Sequence, residues 1–230
     1  MIPLKDENPS RTVPITNAFL ILVNVSVFVY QYFLIPGGAS PLFLQLGCIP
    51  YEFANFVDID PPALIPIPLT IITAMFMHGG WIHLLSNLLF LWIFGDNIED
   101  RLGHLKYLFF YMTCGTIASL LHIMTNLNSQ IPSIGASGAI AGVMGAYMYL
   151  FPKARIRTLV IWFVFIQVVR IPALIMLGYW ILIQVLSGFA EFGTQTEGGI
   201  AWFAHIGGFV TGFFMIIMMK KRRKRSAVRR

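Results

Sequence analysis

One apolar stretch decides how the whole chain is interpreted: IGASGAIAGVMGAYMYLFP, residues Ile134 to Pro152. Small and aliphatic residues fill it, and one hydroxyl, that of Ser137, stands near its beginning. The run from Ser137 to Phe151 predicts an apolar helix that ends before Pro152, because proline disfavours helix continuation. In its first turn, Ser137 could cap the helix, pack against a neighbour or act as a nucleophile.

The composition indicates an integral membrane protein. Of the 230 residues, 57% are hydrophobic and only 11% are charged, with a mean hydropathy of +0.74. Ordinary soluble domains carry roughly a quarter charged residues. Apolar runs of about 20 residues match the hydrocarbon core of a bilayer, where each backbone must satisfy its own hydrogen bonds, so we expect the spans to be helices.

Six membrane-spanning helices are predicted, in one domain that covers residues 16–219. The first apolar run is interpreted as a retained helix, because no basic region leading into a small-residue cleavage site precedes it. Residues 1–15 and 220–230 are then cytoplasmic tails, the second of them basic. The predicted spans are Thr16–Ile35, Trp81–Ile98, His104–Met124, Ser137–Phe151, a fifth from about Pro172 to Gly188, and Gly199–Met219.

Two connecting segments are unusual. The segment Ala39–Pro68 is rich in proline but contains aromatic and aliphatic residues throughout, which predicts an ordered element lying at the membrane interface. The segment Leu159–Val169 is too short to span the bilayer, and the Arg170 that follows it would be costly at mid-membrane. We therefore interpret it as an interfacial or re-entrant piece.

Basic residues fall on alternate connections of this six-span plan, which the positive-inside rule assigns to the cytoplasm. The opposite connections carry acidic residues or no charge. We therefore expect a multi-pass protein of the cell membrane with both termini in the cytoplasm. The basic C-terminal tail is interpreted as an anchor for anionic lipids, and no nucleic-acid partner is expected. The basic residues of the cytoplasmic connections are Arg101, Lys106, Lys153, Arg155 and Arg157, the C-terminal tail Lys220–Arg230 is strongly basic, and the outer acidic residues are Glu52, Asp58, Asp60, Glu191 and Glu197.

Four polar side chains are predicted at a similar depth, towards the outer leaflet. His83 and Asn87, spaced i and i+4 in the second span, project from one helical face. Ser137 begins the fourth span, and His205 lies about one turn into the sixth. Because polar groups within spans are rare and usually face a bundle interior or a wet cavity, their convergence predicts a functional site.

Glycines at helical spacing predict that the fourth and sixth spans touch, because small residues let membrane helices approach closely. This contact would bring the hydroxyl of Ser137 within reach of the imidazole of His205, which is the geometry that a general base needs to activate a serine. The spaced glycines are Gly138, Gly142 and Gly145 in the fourth span and Gly208 and Gly212 in the sixth.

With these residues in this order, the chain resembles the rhomboid intramembrane serine proteases over nearly its whole length. A lone GxSG motif matches many unrelated chains, whereas all the motifs in the right spans and order are specific. The matching motifs are His83-x-x-x-Asn87, Gly135-Ala136-Ser137-Gly138, Ala204-His205 with Gly208 and Gly212, and Glu99-x-Arg101-x-Gly103 after the second span.

The resemblance implies an all-α membrane protein, a six-helix rhomboid-like bundle with a long membrane-associated first loop. It implies peptide-bond hydrolysis without a cofactor or a metal. Ser137 would be the nucleophile and His205 its base, in a dyad without aspartate. His83, Asn87 and the backbone N–H of Ser137 would stabilise the oxyanion, each such donor contributing roughly 3 to 4 kcal/mol.

The resemblance also implies supporting residues and a class of substrate. Gly135 and Gly138 would leave room for a substrate carbonyl and for the sixth span, and His78 would hold water or loop structure. The substrates would be membrane proteins with helix-destabilised transmembrane segments, cleaved near the outer face within the lipid bilayer. The sequence indicates neither a particular substrate nor an oligomeric state.

Two positions depart from the family pattern. Many members carry a Trp-Arg pair in the first loop, eight or nine residues before the equivalent of His78, where this chain has Leu69 and Thr70. Many also carry an aromatic residue four positions after the serine that stacks on the histidine, and here that residue is Ala141. The anchoring of the first loop and the packing of the imidazole are therefore expected to differ.

Alternatives compete with this interpretation. Ser137 could be only a helix cap, His205 an interhelical hydrogen-bonding residue and Asn87 a helix–helix contact. A metal or small-solute transporter could use His78, His83 and His205, although metal sites favour carboxylates or several clustered ligands. A catalytically silent relative could bind transmembrane helices without cleaving them.

Overall fold

The computed structural model describes residues 1–35, 39–59, 62–162, 165–191 and 201–227. Most of this chain is helical, and a small antiparallel sheet accompanies the helices. The helices are α1 Ile15–Val29 with a π-helical continuation Tyr30–Leu34, α2 Ser40–Leu46, α3 Pro50–Asn55, α4 Ile67–Ala74, α5 Trp81–Leu102, α6 His104–Thr125, α7 Ser137–Leu150, α8 Ala173–Glu191 and α9 Trp202–Ala227. The strands are β1 Ile2–Asp6, β2 Arg155–Trp162 and β3 Phe165–Pro172.

Four of these helices are long and apolar enough to cross a membrane. They are α1 with its continuation (Ile15–Leu34), α6, α8 and the Trp202–Met219 part of α9. Helix α7 is apolar but has only 14 residues. The count of six spans therefore stays a prediction, and Gly199, its expected start for the sixth span, lies outside the described residues.

The prediction of a helical membrane bundle is confirmed in its main part, but the fold is not all-α, because a three-stranded antiparallel sheet with the order β1-β2-β3 joins the helices. The sequence predicts the segment Leu159–Val169 as an interfacial or re-entrant piece; its described residues, 159–162 and 165–169, belong to the antiparallel strands β2 and β3, in which Leu159 pairs with Val168. β-Branched residues recur in both strands and favour extended backbone. In β2, buried Ile156 and Thr158 alternate with exposed Arg155 and Arg157, which is the two-residue period of a strand.

The N-terminal strand β1 packs on the helical domain through a buried carboxylate. The hydroxyl of Tyr147, on α7, donates to Oδ2 of Asp6 at 2.8 Å, and Nδ2 of Asn97, on α5, donates to the same oxygen at 3.0 Å. Strand β1 also pairs with β2. Residues 1–15, interpreted from the sequence as a tail, thus supply a strand and side-chain contacts to the domain.

The Glu99-x-Arg101-x-Gly103 motif joins three helices at one end of the bundle. The buried carboxylate of Glu99 accepts the backbone N–H groups of Thr16 at 2.8 Å and Asn17 at 2.7 Å, in the first turn of α1. Gly103, with a φ of +77°, ends α5 and precedes α6. The motif therefore fixes where α1, α5 and α6 begin or end.

The segment between α1 and α5 contains the short helices α2, α3 and α4. Cys48, between α2 and α3, pairs through its backbone with Ser133, just before α7. This pairing fastens the segment to the loop that leads into Ser137. The segment is thus ordered where it is described, and its place at the membrane interface stays a prediction.

The predicted contact between the fourth and sixth spans is confirmed by the packing of α7 against α9. A Cβ atom added at Gly208 would collide with the backbone oxygen of Gly138, and one added at Gly212 would collide with that of Gly142. The two helices therefore approach backbone to backbone. Helix α7 lies at the centre of the bundle, with every residue from Gly138 to Tyr147 buried.

Candidate active site

Ser137 and His205 lie together at the ends of the two central helices. Nε2 of His205, in the first turn of α9, is 2.8 Å from Oγ of Ser137, the first residue of α7. The N-cap position of α7 is Ala136, and no side-chain hydrogen bond caps that helix end. The hydroxyl of Ser137 is thus bonded to an imidazole from another helix, an arrangement that a base can use to activate a serine.

His83 and Asn87 occupy one face of α5 beside this pair. The backbone N–H of Gly79 donates to Nδ1 of His83 at 3.3 Å, so Nε2 of that ring carries the remaining proton and is a donor. Nδ2 of Asn87 is buried and has no hydrogen-bond partner within the described part of the chain. All four side chains line one cavity of about 720 Å³. They are therefore brought together as predicted from their depth in the spans.

The glycines beside Ser137 are required by close contacts. Gly135 has a φ of +126°, and a Cβ atom there would lie 2.7 Å from Nε2 of His83. A Cβ atom at Gly138 would lie 2.6 Å from that of Ala118, on α6. The room at Gly138 is thus shared by α6 and by α9, which contains the predicted sixth span, since a Cβ atom at Gly208 would collide with the backbone oxygen of Gly138.

His78 lies between α4 and α5, and it does not line the cavity directly. Its ring is buried, its centroid lies 5.0 Å from that of His83, and neither ring nitrogen has a partner among the described residues. Burial, assisted by His83, lowers the pKa of His78 to about 3, so the ring is neutral near pH 7. A neutral ring against His83 fits a role in holding that side chain or a water molecule.

Sequence reasoning missed two side chains of α8 that contact His205. Oε1 of Gln184 is 2.7 Å from Nδ1 of His205, and the ring centroid of Trp180 lies 5.6 Å from that of the imidazole. The sequence did carry a signal, because Gln184 is an amide within an otherwise apolar helix. Ala141 has no ring that could stack on His205, and Trp180 of α8 supplies an aromatic ring instead.

One further histidine, His122, also lines the cavity, and Nδ2 of Asn126 lies 3.4 Å from its Nδ1. No group of three or more His, Cys, Asp or Glu side chains that could hold a metal ion occurs in the described ranges. The transporter alternative thus lacks a clustered set of metal ligands among the described residues.

Of the two positions that depart from the family pattern in the first loop, Leu69 is exposed and Thr70 is buried.

Comparison with known proteins finds one family. A family model described as the Rhomboid domain matches residues 68–222, which is more than half of the chain. The chain is 31% identical over 166 residues to Rhomboid protein 1, mitochondrial, of Saccharomyces cerevisiae, covering 68% of this chain and 44% of that protein.

Two further relatives extend the comparison. The chain is 31% identical over 144 residues to Rhomboid protease GluP of Bacillus subtilis, covering 63% of this chain and 24% of that protein. It is 26% identical over 214 residues to Rhomboid-like protein 11, chloroplastic, of Arabidopsis thaliana, covering 88% of this chain and 65% of that protein. The chain thus spans less than two thirds of the length of each of these three relatives.

Proposed function

This chain belongs to the rhomboid family, and from that premise we propose that it is an intramembrane serine endopeptidase with a Ser137–His205 dyad. The observation that carries the proposal is the 2.8 Å separation between Oγ of Ser137 and Nε2 of His205. The two groups come from helices packed backbone to backbone, so their separation is set by rigid elements.

The reaction follows from these positions. Oγ of Ser137 attacks the carbonyl carbon of the scissile peptide bond and its proton passes to Nε2 of His205. The carbonyl oxygen becomes an oxyanion, the C–N bond breaks, and His205 returns the proton to the leaving amine. His205 then takes a proton from water, whose oxygen attacks the acyl carbon of the acyl-enzyme. The C–Oγ bond breaks, the new carboxyl group is released, and His205 returns the proton to Oγ of Ser137.

The oxyanion needs donors that are already in place. We assign this role to Nε2–H of His83, Nδ2–H of Asn87 and the backbone N–H of Ser137, which lies at the N-terminus of α7 and benefits from its dipole. The absence of any partner for Nδ2 of Asn87 among the described residues supports the assignment, because a buried donor is costly unless something accepts from it.

The substrates proposed are membrane proteins, cleaved in transmembrane or juxtamembrane segments near the outer face. A peptide bond inside a helix is shielded by its own hydrogen bonds, so helix-destabilising residues near the scissile bond should favour cleavage. The cavity of about 720 Å³ offers room for a short unwound segment. We place the protein in the cell membrane with both termini in the cytoplasm, on the distribution of basic residues.

Purified protein in detergent, incubated with a labelled single-span substrate, tests the proposal. Wild type should cleave the substrate, Ser137→Ala should not, and Ser26→Ala, which changes an exposed serine of α1, should cleave like wild type. Cleavage that survives Ser137→Ala would contradict the proposed nucleophile. Substrate binding by wild type without cleavage would instead support the silent, helix-binding alternative.

A further inference from the structure

Helix α8 carries one buried amide, and that amide contacts the histidine of the dyad. Gln184 is only 6% exposed, and its Oε1 lies 2.7 Å from Nδ1 of His205. Buried amides in an apolar helix are costly unless they are hydrogen-bonded. The contact with Nδ1 of His205 therefore gives the amide oxygen of Gln184 a hydrogen-bond partner.

The second contact of Gln184 fixes which way its amide faces. Its Nε2 lies 3.4 Å from the backbone oxygen of Trp180, one turn earlier in α8. A backbone carbonyl can only accept, so the amide NH₂ group must face it and the amide oxygen must face His205. Nδ1 of His205 therefore carries the proton and donates it to Gln184.

The tautomer of His205 follows from this orientation. In a neutral imidazole only one nitrogen carries a proton, so a protonated Nδ1 leaves Nε2 with a free electron pair. That electron pair faces Oγ of Ser137 at 2.8 Å, where it can accept the hydroxyl proton. The opposite tautomer would present an N–H to the serine and could not act as its base.

The aromatic ring on the same helix restricts the imidazole further. Trp180 is four residues before Gln184, so both side chains project from one face of α8. Its ring centroid lies 5.6 Å from that of His205, with the two planes inclined by 39°. One face of α8 thus supplies both an acceptor for Nδ1 and a packing surface for the ring.

We propose that Gln184 is a positioning residue that holds His205 in the Nδ1–H tautomer, with Nε2 directed at Ser137. The inference rests on the proposed function, because it assigns Gln184 a part in peptide-bond hydrolysis. A neutral amide performs this role without placing an unpaired charge inside the bundle. It thereby takes the place that an aspartate would occupy in a triad.

The test compares Gln184→Leu, which removes the acceptor, with Gln184→Glu, whose side chain has the same length and keeps an oxygen that can accept from Nδ1 of His205. For Gln184→Leu we expect kcat on the single-span substrate to fall roughly 10- to 100-fold with KM nearly unchanged, because the general base is lost in part of the molecules. Gln184→Glu should retain kcat to within about tenfold. The matched control is Gln167→Leu, the same change at an exposed position of β3, which should leave kcat unchanged.

A readout independent of activity is the ¹⁵N NMR spectrum of histidine-labelled protein, with His205 assigned by its loss in His205→Ala. Wild type and Gln184→Glu should show the Nδ1–H tautomer, and Gln184→Leu a mixture with the Nε2–H form. An unchanged tautomer, or an unchanged kcat, in Gln184→Leu would overturn the proposal. If Gln184→Leu does not fold, Gln184→Asn, whose shorter amide cannot reach Nδ1, is judged by the same two outcomes.

These results are separable from failure of the proposed function. If Ser137→Ala still cleaves, the nucleophile is wrong, whatever the tautomer of His205. If Ser137→Ala is inactive and Gln184→Leu retains wild-type kcat, the dyad stands and the role of Gln184 is wrong.

Discussion

At the scale of single residues, the buried Nδ2 of Asn87 has no hydrogen-bond partner in the described part of the structure. If Asn87 donates to the oxyanion, Asn87→Ala should reduce turnover by roughly 100-fold or more and leave the melting temperature close to that of wild type. Turnover and thermal unfolding are measured on the same preparation. Asn24→Ala is the matched control, since Asn24 is a buried asparagine of α1 outside the cavity.

The two outcomes separate catalysis from packing. A melting temperature that collapses together with the activity of Asn87→Ala would favour a helix–helix contact as its role. Unchanged turnover would remove Asn87 from the site.

The site residues that could be predicted from the sequence are those whose polarity is unusual in an apolar membrane span. Ser137, His83, Asn87 and His205 are polar groups in apolar spans, and their order matches one family. Gln184 is equally anomalous, yet its role depends on the direction of its amide and on a partner in another helix. Neither property has a sequence pattern, so only the three-dimensional contacts could reveal it.

At the scale of elements, the close approach of α7 and α9 predicts that alanine substitutions at two glycines have different effects on stability. Gly212→Ala should lower the melting temperature, because the added methyl group collides with the backbone of Gly142 and overpacking typically costs about 1 to 3 kcal/mol. Gly178→Ala, on α8, is the control, since no neighbouring atom lies within 4 Å of the position that its Cβ would take.

The control should leave stability unchanged or raise it slightly, because alanine favours helix over glycine. Both variants are compared by thermal unfolding in the same detergent. Equal stability of Gly212→Ala and wild type would mean that the two helices are not packed backbone to backbone.

The contact between α7 and α9 could be predicted because glycines at helical spacing have few other uses in membrane helices. The complete three-stranded sheet could not be predicted. The alternation in Arg155–Thr158 is a local signal for a strand, and its hairpin partner β3 is adjacent in the sequence, but its other partner, Ile2–Asp6, lies about 150 residues away. Pairing over such a distance is decided by the fold, and nothing in a short N-terminal segment indicates it.

At the scale of the whole molecule, the distribution of basic residues predicts an even number of crossings. A cysteine appended after Arg230 should be cytoplasmic, and one introduced as Val57→Cys should be external. Accessibility to a membrane-impermeant maleimide, before and after permeabilisation, measures both. The native Cys48 and Cys114 are buried and should contribute little background, whereas Val57 is exposed.

Reaction of both introduced cysteines from the same side would contradict the six-span plan and the depth assigned to Ser137. Helix α5 is long enough to cross a membrane but is less apolar than the four candidate spans, and α7 is apolar but has only 14 residues. Helix α7 is buried inside the bundle, where it faces protein and little lipid, whereas α5 carries charged residues near its end and exposes Trp81, Ile82 and Trp92.

The central claim is that Ser137 is a nucleophile activated by His205, and reaction with a fluorophosphonate probe tests it most directly. The reagent requires an activated hydroxyl, so a capping or packing serine should not react. We predict labelling of wild type that is lost in Ser137→Ala, strongly reduced in His205→Ala, and unaffected by EDTA. His104→Ala, which alters a histidine at the opposite end of α6 from the cavity, should label like wild type. Labelling that persists in Ser137→Ala, or that disappears when metal is chelated, would contradict the account.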